Sequence, residues 1–176
     1  IARREIPHQD RLHALIAQFL DKAGKSGQID HGRQCRPAPR CPRVQGIDDL
    51  VQWFDRIFDN HVMGKMQEAV ADFLRPENER MPSILANVRT ALETIYGWLD
   101  IQLKGREWAT DSGFSLADCG AAPSLFYADW VHEIGDDYAN LKAYRTRLLA
   151  RASIRQCVEA ARPYRAYFPL GAPDRD

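Results

Sequence analysis

The chain has 176 residues, 45% hydrophobic and 27% charged, with a formal net charge of zero, which suits one domain with a sizeable core. The charge is uneven: residues 1–45 hold nine Lys/Arg against four Asp/Glu, and the remainder fifteen against twenty. The basic residues of the first part are single arginines among Pro, Gly and Cys without aromatic interleaving, which argues against a nucleic-acid arm, and no apolar run of about 20 residues is present to span a membrane.

Residues 11–21 place Leu12, Leu15, Ile16, Phe19 and Leu20 at helical spacing, a short amphipathic helix. From Lys22 to Gly46 the chain is rich in Gly and Pro with few large apolar residues, and it reads as loop or linker. Gly24-Lys25-Ser26 resembles the end of a phosphate loop, but Phe19 stands where the earlier glycine belongs, so that motif fails. Cys35, Cys41 and His31 make too sparse a set for a metal, and none is expected. Cys119 and Cys157 fall in apolar helical patterns, where a thiol serves as a small buried hydrophobe. No apolar leader-like segment precedes these elements, and a reducing cytoplasm is the expected compartment.

From Ile47 the texture changes. Asp48 or Asp49 is placed to cap a helix whose stripe is Leu50, Phe54, Ile57, Phe58, Val62, Met66, Val70 and Phe73, ending at Arg75-Pro76. A second long helix is predicted from Ser83, with Ile84, Val88, Leu92, Ile95, Leu99 and Leu103 on one face, stopped by Gly105. Two long helices joined by a short turn should lie antiparallel.

The third element starts at Ser115. Its hydroxyl is placed to accept from the Asp118 N–H while the Asp118 carboxylate reaches back to the Ser115 N–H, a capping box with Asp in the usual Glu/Gln place. Phe114 is placed to staple against Cys119. Small residues Gly120, Ala121 and Ala122 allow close helix approach, and Leu125, Phe126, Tyr127, Trp130 and Val131 mark this helix as the buried centre, bent at Pro123. Two further helices follow, Tyr138 to Ala150 and Ser153 to Ala161, and the tail Tyr164 to Pro169 is aromatic enough to pack back. No segment alternates with period two, so no sheet is predicted.

Several stretches together resemble the C-terminal helical domain of a glutathione S-transferase, of the bacterial branch near the beta and theta classes. They are Trp53-Phe54-Asp55-Arg56-Ile57-Phe58-Asp59, Tyr96-Gly97-Trp98-Leu99-Asp100, Lys104-Gly105-Arg106-Glu107-Trp108-Ala109, the box followed by Ala121-Ala122-Pro123-Ser124-Leu125-Phe126-Tyr127-Ala128, and Ala150-Arg151-Ala152-Ser153. The resemblance implies an all-α fold, a helical bundle of that C-terminal domain type, with an irregular N-terminal segment. The expected division is 1–46 as N-terminal segment, 47–170 as helical domain and 171–176 as tail.

In this family a thioredoxin-fold domain holds glutathione and activates its thiol. Residues 1–46 are too few to form one. Residues 11–21 resemble its last helix, but Leu12 and His13 stand where the family has Glu-Ser, so no catalytic residue is assigned. The helical domain would supply the pocket for a small hydrophobic electrophile, with glutathione as cosubstrate. By alignment on Met66-Gln67, Asn60 and His61 fall beside the glutathione sulfur, and Tyr127 is the aromatic residue facing the pocket. Each also has a plainer reading, His61 as a helix-surface residue and Tyr127 as a core aromatic. Ser115 and Asp118 are structural. The resemblance further implies a homodimer. Two functions stay open: glutathione conjugation by a longer arrangement that includes the glutathione-binding half, or a non-catalytic interaction module.

Overall fold

The computed structural model describes residues 45–175, with side chains from Asp49 onward. The helix expected over 11–21, the loop expected over 22–44, and His31, Cys35 and Cys41 lie outside the described residues. Within them the order is α1 (Gln45–Ile57), a π-helical segment (Phe58–Met63), α2 (Gly64–Phe73), a 3-10 turn (Glu77–Glu79), α3 (Pro82–Gln102), α4 (Leu116–Val131), α5 (Ala139–Ala150), α6 (Ala152–Ala161) and a 3-10 segment (Arg162–Tyr167). No strand occurs among the described residues, and the fold is all-α as expected.

The first long helix differs from its expectation in two ways. It begins at Gln45, so Asp48 and Asp49 lie inside it rather than capping it. It is also interrupted by the π-helical segment, and the apolar spacing explains why. Phe54, Phe58, Val62, Met66 and Val70 are all buried, and each is four residues from the next. In a regular α-helix those 16 residues would carry Val70 about 160° around the axis from Phe54. A π turn, with i→i+5 bonds and about 4.4 residues per turn, lags behind that rotation, and six such residues recover roughly 110°. The segment thus keeps one apolar stripe on one side. Phe73, at the end of the expected stripe, is 38% exposed and lies under the Arg80 guanidinium instead.

Asp72 closes the turn between α2 and α3. It is buried, and both carboxylate oxygens lie 3.2 Å from the Met81 N–H. Pro82 occupies the first turn of α3, where its missing N–H costs nothing. Along α3, Val88, Leu92, Tyr96 and Leu99 are buried, whereas Ile84 and Ile95 are only half-buried. Tyr96 takes the inward place assigned to Ile95, and its hydroxyl donates to the His132 carbonyl at 3.1 Å. Gly105, at φ 75°, makes the left-handed turn that ends the run.

α4 is the centre of the bundle and packs against α1, the π segment, α2 and α5. Every residue from Ala121 to Val131 is buried. Gly120 permits the approach of α1: a Cβ there would lie 2.9 Å from Asp55 Oδ1. Pro123 sits inside α4, as read from the sequence. Asp100 of α3 caps α5 from outside, its Oδ1 accepting from the N–H groups of Asn140 (2.7 Å) and Leu141 (2.9 Å) and its Oδ2 from the Asn140 amide (2.8 Å). The aromatic tail buries Phe168, while Tyr164 and Tyr167 are 47% and 43% exposed.

Candidate functional site

The capping box sits at the base of α4. Asp118 is fully buried, and its Oδ2 accepts from the Ser115 N–H at 2.8 Å and the Ser115 hydroxyl at 3.0 Å. The return contact, from the Asp118 N–H to the Ser115 side chain, is present, but the same N–H also lies 3.2 Å from the Ser115 carbonyl. The carboxylate side is therefore the stronger half of the box. Oδ1 does work that the sequence did not reveal, accepting from the Ala109 N–H at 2.8 Å and the Tyr144 hydroxyl at 2.7 Å. One carboxylate thus joins the 105–114 loop, the start of α4 and the middle of α5. Burial, then the Asp118 charge and this hydrogen bond, push the Tyr144 phenol well above its usual range.

Phe114 makes its ring contacts with Trp108, edge-on at 5.2 Å, and with the Arg151 guanidinium, 3.5 Å from the ring centre. Cys119 is half-buried, while Cys157 is buried as expected. Burial, and after it the Asp118 charge, push the Cys119 thiol up, so it is held as a thiol and away from nucleophilic thiolate.

Asn60 and His61 lie on the π segment and are both exposed. The Asn60 amide donates to the Arg56 carbonyl at 3.0 Å. Tyr127 is in a different setting, 5% exposed, on the second half of α4. Its ring stacks on Phe168 at 5.8 Å and meets Phe126 and Trp130 edge-on at 5.1 and 5.4 Å. Burial pushes its phenol up to about 12, so it stays neutral at physiological pH.

Beside that cluster Asp129 is a second buried carboxylate. Oδ1 accepts from the Ile134 N–H at 2.8 Å, and Oδ2 pairs with Arg175 Nε at 3.0 Å and an Arg145 nitrogen at 3.3 Å. Arg175 also donates to the Asp129 carbonyl and pairs with Glu133 at 3.3 Å. Trp130 was read from the sequence only as core and Phe168 only as part of a tail that packs back, while Arg165 and the Asp129–Arg175 pair were not singled out. The available signal was the aromatic density of Phe126, Tyr127 and Trp130, which called for an aromatic partner elsewhere in the chain.

Glu93 gathers a third group at the surface, taking the Tyr138 hydroxyl on one oxygen and the His132 ring on the other. These two bonds hold its carboxyl below the usual range. Among the described residues, no group of three or more His, Cys, Asp or Glu side chains is placed to hold a metal ion, and no helix is long and apolar enough to cross a membrane.

Residues 62–152, half of the chain, match the family described as glutathione S-transferase, C-terminal domain. The chain belongs to that family. It is also similar to FtsZ-localized protein A of Caulobacter vibrioides (strain NA1000 / CB15N), with 31% identity over 112 residues. The match covers 60% of this chain, which spans about half (47%) of that relative's length. No solved structure matches. The family's domain accounts for the buried α4, its capping box and the order of helices around them. Its members' chemistry depends on a glutathione thiol. Cys119, Tyr127 and Tyr144, the thiol and two phenols packed against α4 or lying on it, are all held protonated by their surroundings.

Proposed function

We propose that this glutathione-transferase-type helical domain acts as a non-catalytic docking module that brings its chain to FtsZ filaments in the cytoplasm. The observation that carries the reading is the similarity to FtsZ-localized protein A, whose name describes that localisation. A further point supports it. The two buried carboxylates at α4, Asp118 and Asp129, are committed to structural hydrogen bonds. A homodimer would present two docking faces to one filament and raise avidity.

The test is co-sedimentation. Purified full-length chain is mixed with FtsZ, with and without GTP, and the filaments are pelleted. Recovery in the pellet only when GTP is present is expected; a chain that stays in the supernatant with assembled filaments contradicts the proposal.

A second reading, glutathione conjugation, is favoured by one observation, the family membership itself. In that reading Asn60 and His61 face the glutathione sulfur, Tyr127 lines the pocket, and the partners are glutathione and a small hydrophobic electrophile. Retention on immobilised glutathione distinguishes it from docking alone.

A further inference from the structure

We propose that the corner of the bundle formed by the 105–114 loop and the end of α5 is a docking surface for an acidic peptide segment of a partner protein, held by Arg106, Arg147 and Arg151. The inference is independent of filament docking. Three guanidiniums meet at this corner. Arg147 donates from Nε to the Glu107 carbonyl at 3.0 Å and from Nη2 to the Arg106 carbonyl at 2.9 Å. Arg106 donates from Nη1 to the Ala109 carbonyl at 3.0 Å. Arg151 follows one turn after Arg147, its guanidinium 3.5 Å from the centre of the Phe114 ring and 5.5 Å from that of Trp108.

These contacts fix the three side chains but leave their charge unmatched, because a backbone carbonyl accepts an N–H without carrying net charge. Among the described residues, the side-chain carboxylate that pairs with any of the three is Asp111. It lies 3.9 Å from Arg106 Nε and is 81% exposed, so the pair is screened and weak. Glu107, exposed in the same loop, pairs with none of them among the described residues. Arg151 is half-buried on its aromatic bed; its Nε has no acceptor, and no carboxylate pairs with it among the described residues. The other end of α4 is different, since there Arg145 and Arg175 share the Asp129 carboxylate. The chain from residue 46 onward holds fifteen Lys/Arg against twenty Asp/Glu, so this positive corner runs against the sign of its domain.

The surroundings specify the partner. Guanidinium forks bind carboxylates through paired N–H···O bonds. Three separately placed cations suit several carboxylates along one chain better than a single small anion. Stacking on Phe114 fixes the plane of Arg151, so less side-chain freedom is lost when an anion docks. Apolar surface borders the cations: Leu116 is 65% exposed, and half-buried Trp108 lies edge-on to Phe114 at 5.2 Å. A peptide with glutamates flanked by leucine matches both.

The experiment is fluorescence anisotropy, with the full chain titrated into a labelled Glu-Leu-Glu-Glu-Leu-Glu peptide and, separately, its neutral Gln-Leu-Gln-Gln-Leu-Gln analogue. At low salt the acidic peptide should bind saturably and about tenfold more tightly than the neutral one, a difference that shrinks as salt screens the charges. Arg151→Gln should weaken acidic-peptide binding about fivefold, and Arg151→Lys, which keeps the charge without the fork, about twofold. Asp111→Asn removes the competing internal carboxylate at an exposed position and should tighten binding about two- to fivefold. Arg89→Gln, exposed on α3, should leave it unchanged. No saturable binding of the acidic peptide to either the parent chain or Asp111→Asn at millimolar concentration overturns the proposal. So does equal affinity for the two peptides, or an affinity that Asp111→Asn leaves unchanged, a result that stands however Arg151→Gln folds.

Discussion

The Tyr144 hydroxyl donates to Asp118 Oδ1 at 2.7 Å, tying the middle of α5 to the first turn of α4 across 26 residues of chain. Both residues are fully buried. The same oxygen takes the Ala109 N–H, and the other oxygen takes two donors from Ser115. The box that starts α4 is therefore also the joint where a loop and two helices meet, and its loss acts on all three.

Replacing Asp118 by Ala strands the Ala109 N–H and the Tyr144 hydroxyl and unpairs the Ser115 N–H. Each buried donor left without an acceptor costs about 1–3 kcal/mol, and the total should reach roughly 3–5 kcal/mol. In a domain of this size that is a fall of ~10 °C in melting temperature. The exposed Glu68→Ala should move stability by no more than about 0.5 kcal/mol. Tyr144→Phe removes one donor and leaves the carboxylate three, so it should cost about 1 kcal/mol. Urea unfolding midpoints measure all three; an Asp118→Ala midpoint equal to that of Glu68→Ala removes the carboxylate from its structural role.

Alkaline pH should unfold the domain through its buried phenols. Tyr96, Tyr127 and Tyr144 are pushed up chiefly by burial, Tyr127 to about 12 and the other two well above the usual range. In the unfolded chain each loses its proton near pH 10. Above that pH the folded state holds more protons than the unfolded one, so stability falls as pH rises. Each phenol contributes a slope of about 1.4 kcal/mol per pH unit, and Tyr127 stops contributing near its folded value. Unfolding midpoints between pH 10 and 12 should drop steeply, and Tyr127→Phe should make the drop about a third shallower. A flat profile would show that these phenols titrate alike in both states.

Asp100 and Arg175 make a contrasting pair of exterior contacts. Asp100→Ala uncaps α5, leaving the Asn140 and Leu141 N–H groups without their acceptor, and should cost about 1–2 kcal/mol. Arg175→Ala leaves Asp129 paired with Arg145 and the Ile134 N–H, and its own side chain is partly exposed, so about 1 kcal/mol or less is expected. Thermal unfolding of the two variants side by side checks the order; a larger loss for Arg175→Ala reverses it.

The features legible in the sequence were those set by neighbours a few residues apart. The Ser115–Asp118 box, the Gly105 stop and the apolar run of α4 each follow from local spacing and are where the residues placed them, and the second long helix begins at Pro82, one residue before the expected Ser83. The π segment was not read from the sequence, although the four-residue apolar spacing, too long for an α-helix to keep on one side, carries its trace. What was not legible depends on contacts between distant segments. Nothing near Tyr127 names Phe168, 41 residues away, as the ring that stacks on it. Likewise Asp118 gave no sign of Tyr144, nor Asp129 of Arg175. Asn60 and His61 came from the family resemblance alone, and both are exposed on the π segment whereas Tyr127 is buried on α4.

The most direct test of a docking role without catalysis is the rate at which the full chain joins glutathione to 1-chloro-2,4-dinitrobenzene at pH 7. With no residue of this chain assigned to activate the glutathione thiol, the rate should equal that of the reaction without protein. Turnover clearly above that background, lost in His61→Ala or Tyr127→Phe, contradicts the docking role and restores these residues to a catalytic pocket.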